Sequence, residues 1–522
     1  MLNVRNGVFR PAFHWYFNYR SYCVNLPVIR LPCRSQLRLD HLRKQPSAPS
    51  VLPTRTGKLL VLSKRRELNQ YAAETIGRWE NRPLVSQGWK HNASRGDHFI
   101  ILQQQGHGPT PDISCNFQSL GLDEELVSIL NSIGITSPTW VQIKSIRNLL
   151  QGKNILSTAE TGSGKTLAYL LPILHELKRS KRSAHSSLPR CLVLVPSREL
   201  AGQIVSVAQN FCAKLQLTVQ FVGGGLGQTA VESKLGRGPI DILVATPGAL
   251  WKALQKDIIS LNELCYVVLD EVDTLIDHTF LKLTGDILKH IKIASSPSDL
   301  QGSEKMAQLA VIGATFPNGT DQVLGKITGL ENITTIKSSK VHFPLLHVQQ
   351  TFLRVKGSEK VLELLTLLKK QQLGSPGSGV FIFCNSSSTV NWLSYILEEH
   401  GMKHYRLHGQ MPARMRMNIY KSFQKGQKEV LVCTDIASRG LDISRVNTVV
   451  NYDFPFTLQD YLHRVGRVGR VGSGEHCSAV SFVTHAWDVE LVQKIETAVR
   501  KHIMLPCMYI NTKENLQKEL VK

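Results

Sequence analysis

From about Asn116 onward, short apolar runs alternate with longer stretches whose apolar positions recur at helical spacing. Runs at Asn154–Ser157, Arg190–Val195, Ile242–Ala245, Tyr266–Leu269 and Ala310–Gly313 read as strands. A second series follows at Gly379–Cys384, Lys403–Leu407, Val430–Cys433, Thr448–Asn451 and Ser478–Val483. Strands separated by helices imply crossover units and parallel sheets. Between the two series the chain turns polar from roughly Pro317 to His347, which reads as a linker. The pattern therefore predicts two α/β domains, 116–335 and 345–500, with a short tail at 501–522. The Ser-, Lys- and Arg-rich stretch Arg179–Ser187 reads as a solvated loop in the first of them.

Composition changes this picture mainly at the N-terminus. The chain of 522 residues carries 62 Lys and Arg against 40 Asp and Glu, a net charge of +22. An excess of that size points to a polyanion partner. No apolar run is long enough for a transmembrane helix, so membrane insertion is excluded. The ten cysteines are scattered, without a C-x-x-C pair, which argues against a zinc site or a disulfide framework and fits a reducing compartment. Residues 1–110 hold 17 Lys and Arg but five acids, and none of the acids precedes Asp40. An Arg-rich, acid-poor segment over 1–40 reads as a targeting sequence for the mitochondrial matrix. Pro11, Pro27 and Pro32 interrupt any long helix there, and the alternative is a basic arm that binds RNA or directs the chain to the nucleus or nucleolus. Residues 41–115 form a basic extension whose fold the pattern does not define.

The clearest chemistry lies at Ala159-Glu160-Thr161-Gly162-Ser163-Gly164-Lys165-Thr166, between a strand and a helix. Its glycines permit a tight loop whose backbone N–H groups wrap phosphate oxygens at a helix N-terminus. Lys165 is placed to reach the β- and γ-phosphates, and the Thr166 hydroxyl to hold Mg2+. Asp270-Glu271-Val272-Asp273 ends a later apolar strand and opens onto the same crevice. Asp270 is placed as a second Mg2+ ligand and Glu271 as the group that positions and activates water. These residues call for a nucleotide with Mg2+.

Taken with the motifs around them, these residues resemble the DEAD-box RNA helicases of superfamily 2, over roughly residues 115–490. The resemblance implies two RecA-like parallel-sheet domains in tandem, ATP as the nucleotide, and an RNA-dependent ATPase that remodels or locally unwinds structured RNA. Phe117 and Gly134–Gln142 resemble the adenine-reading segment, which gives Gln142 an edge contact and Phe117 a stacking role. Pro196-Ser197-Arg198-Glu199-Leu200, the doublet Gly223-Gly224, and Thr246-Pro247-Gly248 resemble loops that hold an RNA backbone without reading bases. Phe383–Ser386, Thr434–Asp442 and His463–Arg470 resemble the motifs of the second domain. By that match Thr434 and Arg439 touch RNA or brace the interface, and Asp442 approaches the ribose. Arg467 and Arg470 neutralise charge on the γ-phosphate, and His463 links to Asp273.

Four positions depart from the family pattern. Gly313-Ala314-Thr315 stands where the family has S-A-T, Val272 replaces the alanine of D-E-A-D, Ala249 replaces the arginine of T-P-G-R, and Ala413 replaces a glutamine. They leave the ATPase groups in place and imply weakened or guided unwinding. Arg66–Gln70, Gly77–Glu80, Ser86–Lys90 and Gly248–Lys252 resemble the vertebrate mitochondrial branch of the family associated with assembly of the large ribosomal subunit. That likeness implies ribosomal RNA and assembling ribosomal proteins as partners. The aromatic and basic residues of 64–95 could equally be a packing patch on the first domain. Two rival readings stay open, an ATP-gated RNA clamp with little turnover and a DNA-directed translocase of the same two-domain class.

Overall fold

The computed structural model describes residues 59–72, 83–104, 112, 115–180, 187–224, 232–233, 235, 238–277, 279–302, 304–315, 319–330, 333–374, 377–435, 445–470 and 477–506. The targeting segment 1–40, the Gly77–Glu80 segment, Arg439, Asp442 and residues 507–522 lie outside this set. Among the described residues no helix is long and apolar enough to cross a membrane.

The strands are, in chain order, β1 (Leu59–Ser63), β2 (Gln70–Tyr71), β3 (His98–Ile101), β4 (Ile155–Thr158), β5 (Cys191–Leu194), β6 (Val219–Val222), β7 (Ile242–Ala245) and β8 (Tyr266–Asp270). They continue as β9 (Gln308–Gly313), β10 (Thr334–Lys337), β11 (Gln349–Arg354), β12 (Gly379–Phe383), β13 (His404–Leu407), β14 (Val430–Cys433), β15 (Val446–Asn451) and β16 (Ser478–Val483).

Seven of them form the first sheet in the order β10-β4-β9-β8-β5-β7-β6, every pair parallel. Its central strands β4, β5, β7 and β9 are buried at every position, as helices on both faces require. Separate apolar clusters fill the two faces, one around Phe211, Tyr169 and Ile146, the other around Leu243, Leu269 and Leu309. This is a RecA-like domain, and the second sheet builds another. The polar linker of the sequence reading is structured in part, since β10 lies within it and pairs with β4.

The second sheet runs β13-β14-β12-β15-β16-β11-β3-β1-β2. It is parallel as far as β11, and then β3, β1 and β2 add antiparallel strands from the N-terminal extension. The described residues of 64–95 thus dock on the second sheet through Trp89 and not on the first domain. Phe99 on β3 stacks on Phe352 of β11 at 4.7 Å, and Trp89 is fully buried against Phe99 at 5.6 Å. Beneath them Glu496 is fully buried, and its carboxylate accepts from the Val85 N–H (2.8 Å), the Ser86 N–H (3.0 Å) and hydroxyl (2.7 Å), and Arg500 Nε (2.8 Å). Arg500 donates in turn to the Leu68 carbonyl (2.8 Å). A charged pair this completely hydrogen-bonded makes the extension a built part of the domain. Trp89→Ala removes the largest fully buried side chain and is expected to cost about 3–5 kcal/mol. The check is a thermal melt, in which an unchanged transition would show that the extension contributes nothing to the second domain.

Candidate ATP and RNA site

The phosphate loop follows β4 and turns into the helix Lys165–Arg179. Gly162 and Gly164 hold φ of 79° and 84°, left-handed values that a Cβ would strain. Lys165 Nζ donates to the carbonyls of Ala159 and Glu160, both at 2.9 Å, so the loop closes on its own lysine. Burial lowers the Lys165 pKa, Glu271 and Asp270 oppose that, and Arg467 adds to it. Arg467 belongs to the second domain, so the two domains meet over this loop.

Asp270 closes β8. Burial raises its carboxyl to about 7, helped by Glu271 and opposed by Lys165, while the Tyr169 hydroxyl donates to it at 3.0 Å. Glu271 sits at φ 54°, ψ 50°, a left-handed conformation costly for a residue with a Cβ. Its Oε2 is buried with no hydrogen-bond partner. Strain and an unsatisfied oxygen at one residue mark a group held for use rather than for stability. Asp273 Oδ2 accepts from Thr315 Oγ1 (2.5 Å) in its own domain and from His463 Nε2 (3.0 Å) and Gln459 Nε2 (3.3 Å) in the other. Asp273 and His463 therefore meet as the resemblance implied, and Gln459 and Thr315 join them.

Arg467 Nε donates to the His463 carbonyl (3.1 Å) and Arg470 Nε to that of Gly466 (3.3 Å). The Arg470 stem packs so near Gly162 that a Cβ there would lie 2.6 Å from Cγ. Gln142 sits in a capping box with Thr139, accepting its N–H at 2.9 Å, and Gln142 Nε2 donates to the Gly164 carbonyl at 3.1 Å. Thr139 Oγ1 donates to the Ser163 carbonyl at 2.8 Å, which ties the adenine-reading segment to the loop. Phe117 is 1% exposed and packed in the first domain's core, so it does not share that surface.

The RNA residues read from the first domain converge. Pro196, Arg198, Gly223, Gly224, Thr246, Pro247 and Gly248 all line one cavity of about 570 Å³. The helices Arg198–Leu215 and Pro247–Gln255 both begin at it, presenting the partial positive charge of their N-termini. Nε and Nη1 of Arg198 are buried without hydrogen-bond partners. Sequence reasoning missed Lys252 and Lys256 on the same wall and Arg416 from the second domain, whose Nε lies 3.1 Å from Glu199 Oε1. Helical spacing was the available signal, because Lys252 lies three residues beyond Ala249 and on its face. Thr434 follows β14 and is not among the cavity's residues. Beside it Asp435 accepts both Arg464 Nε (2.6 Å) and Nη2 (2.7 Å), and the buried Arg464 also reaches Asn385 Oδ1 (2.6 Å).

Comparison with known proteins agrees with this geometry. Residues 139–323 match the model of the DEAD/DEAH box helicase domain, and residues 359–472 match that of the helicase conserved C-terminal domain. The chain is 52% identical over 495 residues to a Mus musculus protein named "Probable ATP-dependent RNA helicase DDX28", covering 92% of each. It is 33% identical over 390 residues to the "ATP-dependent rRNA helicase RRP3" of Coccidioides immitis, covering 74% of this chain and 77% of that one. Among solved structures, S. cerevisiae Dbp5 bound to RNA and ADP BeF3 superposes with a TM-score of 0.61 at 24% identity, over 78% of this chain and 98% of that one. With its nucleotide loop and Asp270–Asp273 segment in place, the chain belongs to the DEAD-box family of ATP-dependent RNA helicases.

Proposed function

We propose that this helicase couples ATP hydrolysis to the local opening of ribosomal RNA during assembly of the mitochondrial large ribosomal subunit. The observation that carries the catalytic part is Glu271, strained and with a buried unpartnered oxygen, grouped with Asp273 and with His463 of the other domain. Glu271 orients the attacking water and takes its proton. Lys165, Arg467 and Arg470 hold charge that builds on the phosphates. Asp270 and Thr166 would hold Mg2+. Hard carboxylate and hydroxyl oxygens suit that ion, and burial of the carboxylates beside few cations favours one. When bound, the ion neutralises phosphate charge. Gln142 reads adenine from the loop's edge, with Asp442 completing the nucleotide contacts by resemblance, while the burial of Phe117 removes it from the stacking role.

The cavity beside Arg198 holds RNA by its sugar-phosphate backbone through backbone N–H groups, Thr246 and the basic side chains, with Thr434 and Arg439 contributing from the second domain. Both domains contact the nucleotide and the RNA, so ATP favours their approach, and a strand held in that track cannot keep regular A-form pairing. Lys252 supplies the phosphate contact that Ala249 lacks. Lys252→Ala is expected to weaken RNA binding evenly across sequences and to lower the salt slope of log K by about 1. An unchanged slope would place Lys252 outside the track.

The Arg-rich N-terminal segment supports import into the mitochondrial matrix, and the Gly248–Lys252 likeness together with a relative named for ribosomal RNA supports the substrate. The test is crosslinking of the tagged protein in cells, with residues 1–40 fused separately to a reporter. Ribosomal RNA of the mitochondrial large subunit should dominate the crosslinked fraction, and a nuclear reporter with nuclear RNA would overturn the reading. The clamp reading draws support from Gly313 and Val272. It predicts ATP-dependent RNA retention with turnover that RNA does not raise.

A further inference from the structure

We infer that Val272 and Gly313 are one adapted pair of positioning residues, in which the valine takes the space of an absent side chain at 313 and so sets the link between the phosphate loop and the second domain. Gly313 ends β9, and it is not among the glycines with positive φ. Its backbone therefore makes no demand for glycine, and the demand comes from space. A Cβ at 313 would lie 3.1 Å from Val272 Cγ1 and 3.0 Å from the Thr315 carbonyl oxygen, closer than ordinary van der Waals contact. Alanine at 272 has no Cγ1, so the first of these contacts would not exist. The two family departures are thus one exchange of volume between the end of β9 and the start of the short helix Val272–Leu275 that follows β8.

The place of the exchange gives it consequences. The Gly313 carbonyl accepts the Ala159 N–H at 3.3 Å, so the end of β9 steadies the first residue of the phosphate loop. Two residues on, Thr315 Oγ1 donates to Asp273 Oδ2 at 2.5 Å, the same oxygen that His463 and Gln459 reach from the second domain. Val272 is itself fully buried between Glu271 and Asp273. A side chain forced in at 313 must move Val272, the Thr315 carbonyl or both. Either shift reaches the Asp273–His463 contact, and a shift of about 1 Å there is enough to cost ~10²-fold in a geometry-dependent step.

The inference rests on the ATP and RNA reading above, so the experiment separates the two. Val272→Ala, Gly313→Ser and the double variant are made in the full chain. The readout is the fold increase in RNA affinity on adding a nonhydrolysable ATP analogue, which needs no turnover. ATP hydrolysis of the unmodified protein is measured beside it and tests the reading itself. Gly313→Ser is expected to lower the nucleotide-dependent increase at least about fivefold in the original background and by at least about twofold less beside Val272→Ala, which alone lowers it less than about twofold, a coupling of the size expected for residues in contact. The Thr315 carbonyl contact is present in both backgrounds and cancels in the cycle. The proposal is overturned if serine at 313 is as harmful beside alanine as beside valine, or harmless on its own. It is also overturned if only the melting temperatures show the coupling, because the pair would then pack without positioning anything.

Discussion

Glu271→Gln should lower RNA-stimulated ATP turnover by about 10²–10⁴-fold while leaving ATP-dependent RNA binding close to that of the unmodified protein. The substitution keeps the volume and removes only the charge and the proton-accepting oxygen. Little else depends on that oxygen, since Oε2 is buried without a partner. The left-handed backbone at φ 54° is held by the residues around it, with the Glu271 N–H on Asp270 Oδ1 at 2.9 Å and its carbonyl accepting the Thr274 N–H at 2.9 Å. None of these bonds uses the carboxylate, so the fold and the approach of the domains should survive. The measurements are steady-state phosphate release with and without single-stranded RNA, against a DNA control, and RNA retention in the presence of ATP. Turnover within tenfold of the original would remove Glu271 from the chemistry. RNA and DNA stimulating equally would favour the translocase reading.

Much of the nucleotide site was legible because it is local. The phosphate loop, Asp270 and Glu271 each sit directly at a strand end, and central strands such as β5 and β14 are apolar at every position. The edges were harder. β10 reads Thr-Thr-Ile-Lys with one buried position, and in a polar surrounding it resembles a linker. β11 does alternate, but two of its three buried residues are Gln350 and Arg354. Their polar groups are satisfied by the Tyr461 hydroxyl and by the Trp89 carbonyl, partners about a hundred and more than two hundred residues away. An apolar-polar count sees no strand there. The docking of the N-terminal extension was hidden for the same reason, since Trp89 and Phe99 look like surface aromatics until β11 and Glu496 are placed beside them. The RNA loops lie between these cases. Each is an ordinary turn by itself, and only the fold turns seven scattered residues into one cavity.

Gly466→Ala is expected to suppress ATP turnover by about 10²-fold while the protein stays folded, a separation that tests the closed arrangement itself. Gly466 ends the helix Leu458–Val465 at φ −69° and ψ 6°, values an alanine adopts without strain. By backbone entropy alone the change should leave the melting temperature level or raise it, since glycine loses more freedom on folding than alanine. Within its own helix the added Cβ would lie 2.9 Å from the Leu462 carbonyl oxygen, a strain that offsets this gain, but the larger obstacle lies in the other domain. An added Cβ would fall on Thr161 Oγ1 and lie 2.8 Å from the Thr161 Cβ, at the middle of the phosphate loop. Thr161 is about nine-tenths buried and cannot swing far aside, so the domains must part. Arg467 lies one residue on and Arg470 four, so parting draws both guanidinium groups from the loop and lengthens the Asp273–His463 contact from 3.0 Å. Binding of ATP to the isolated first-domain surface should persist, which makes the defect one of turnover more than of affinity. Thr161→Ser is expected to restore little, because its Oγ occupies the same place, whereas Thr161→Gly in the Gly466→Ala background should recover part of the rate. Full turnover in Gly466→Ala would mean that the working state does not bring Gly466 against the loop.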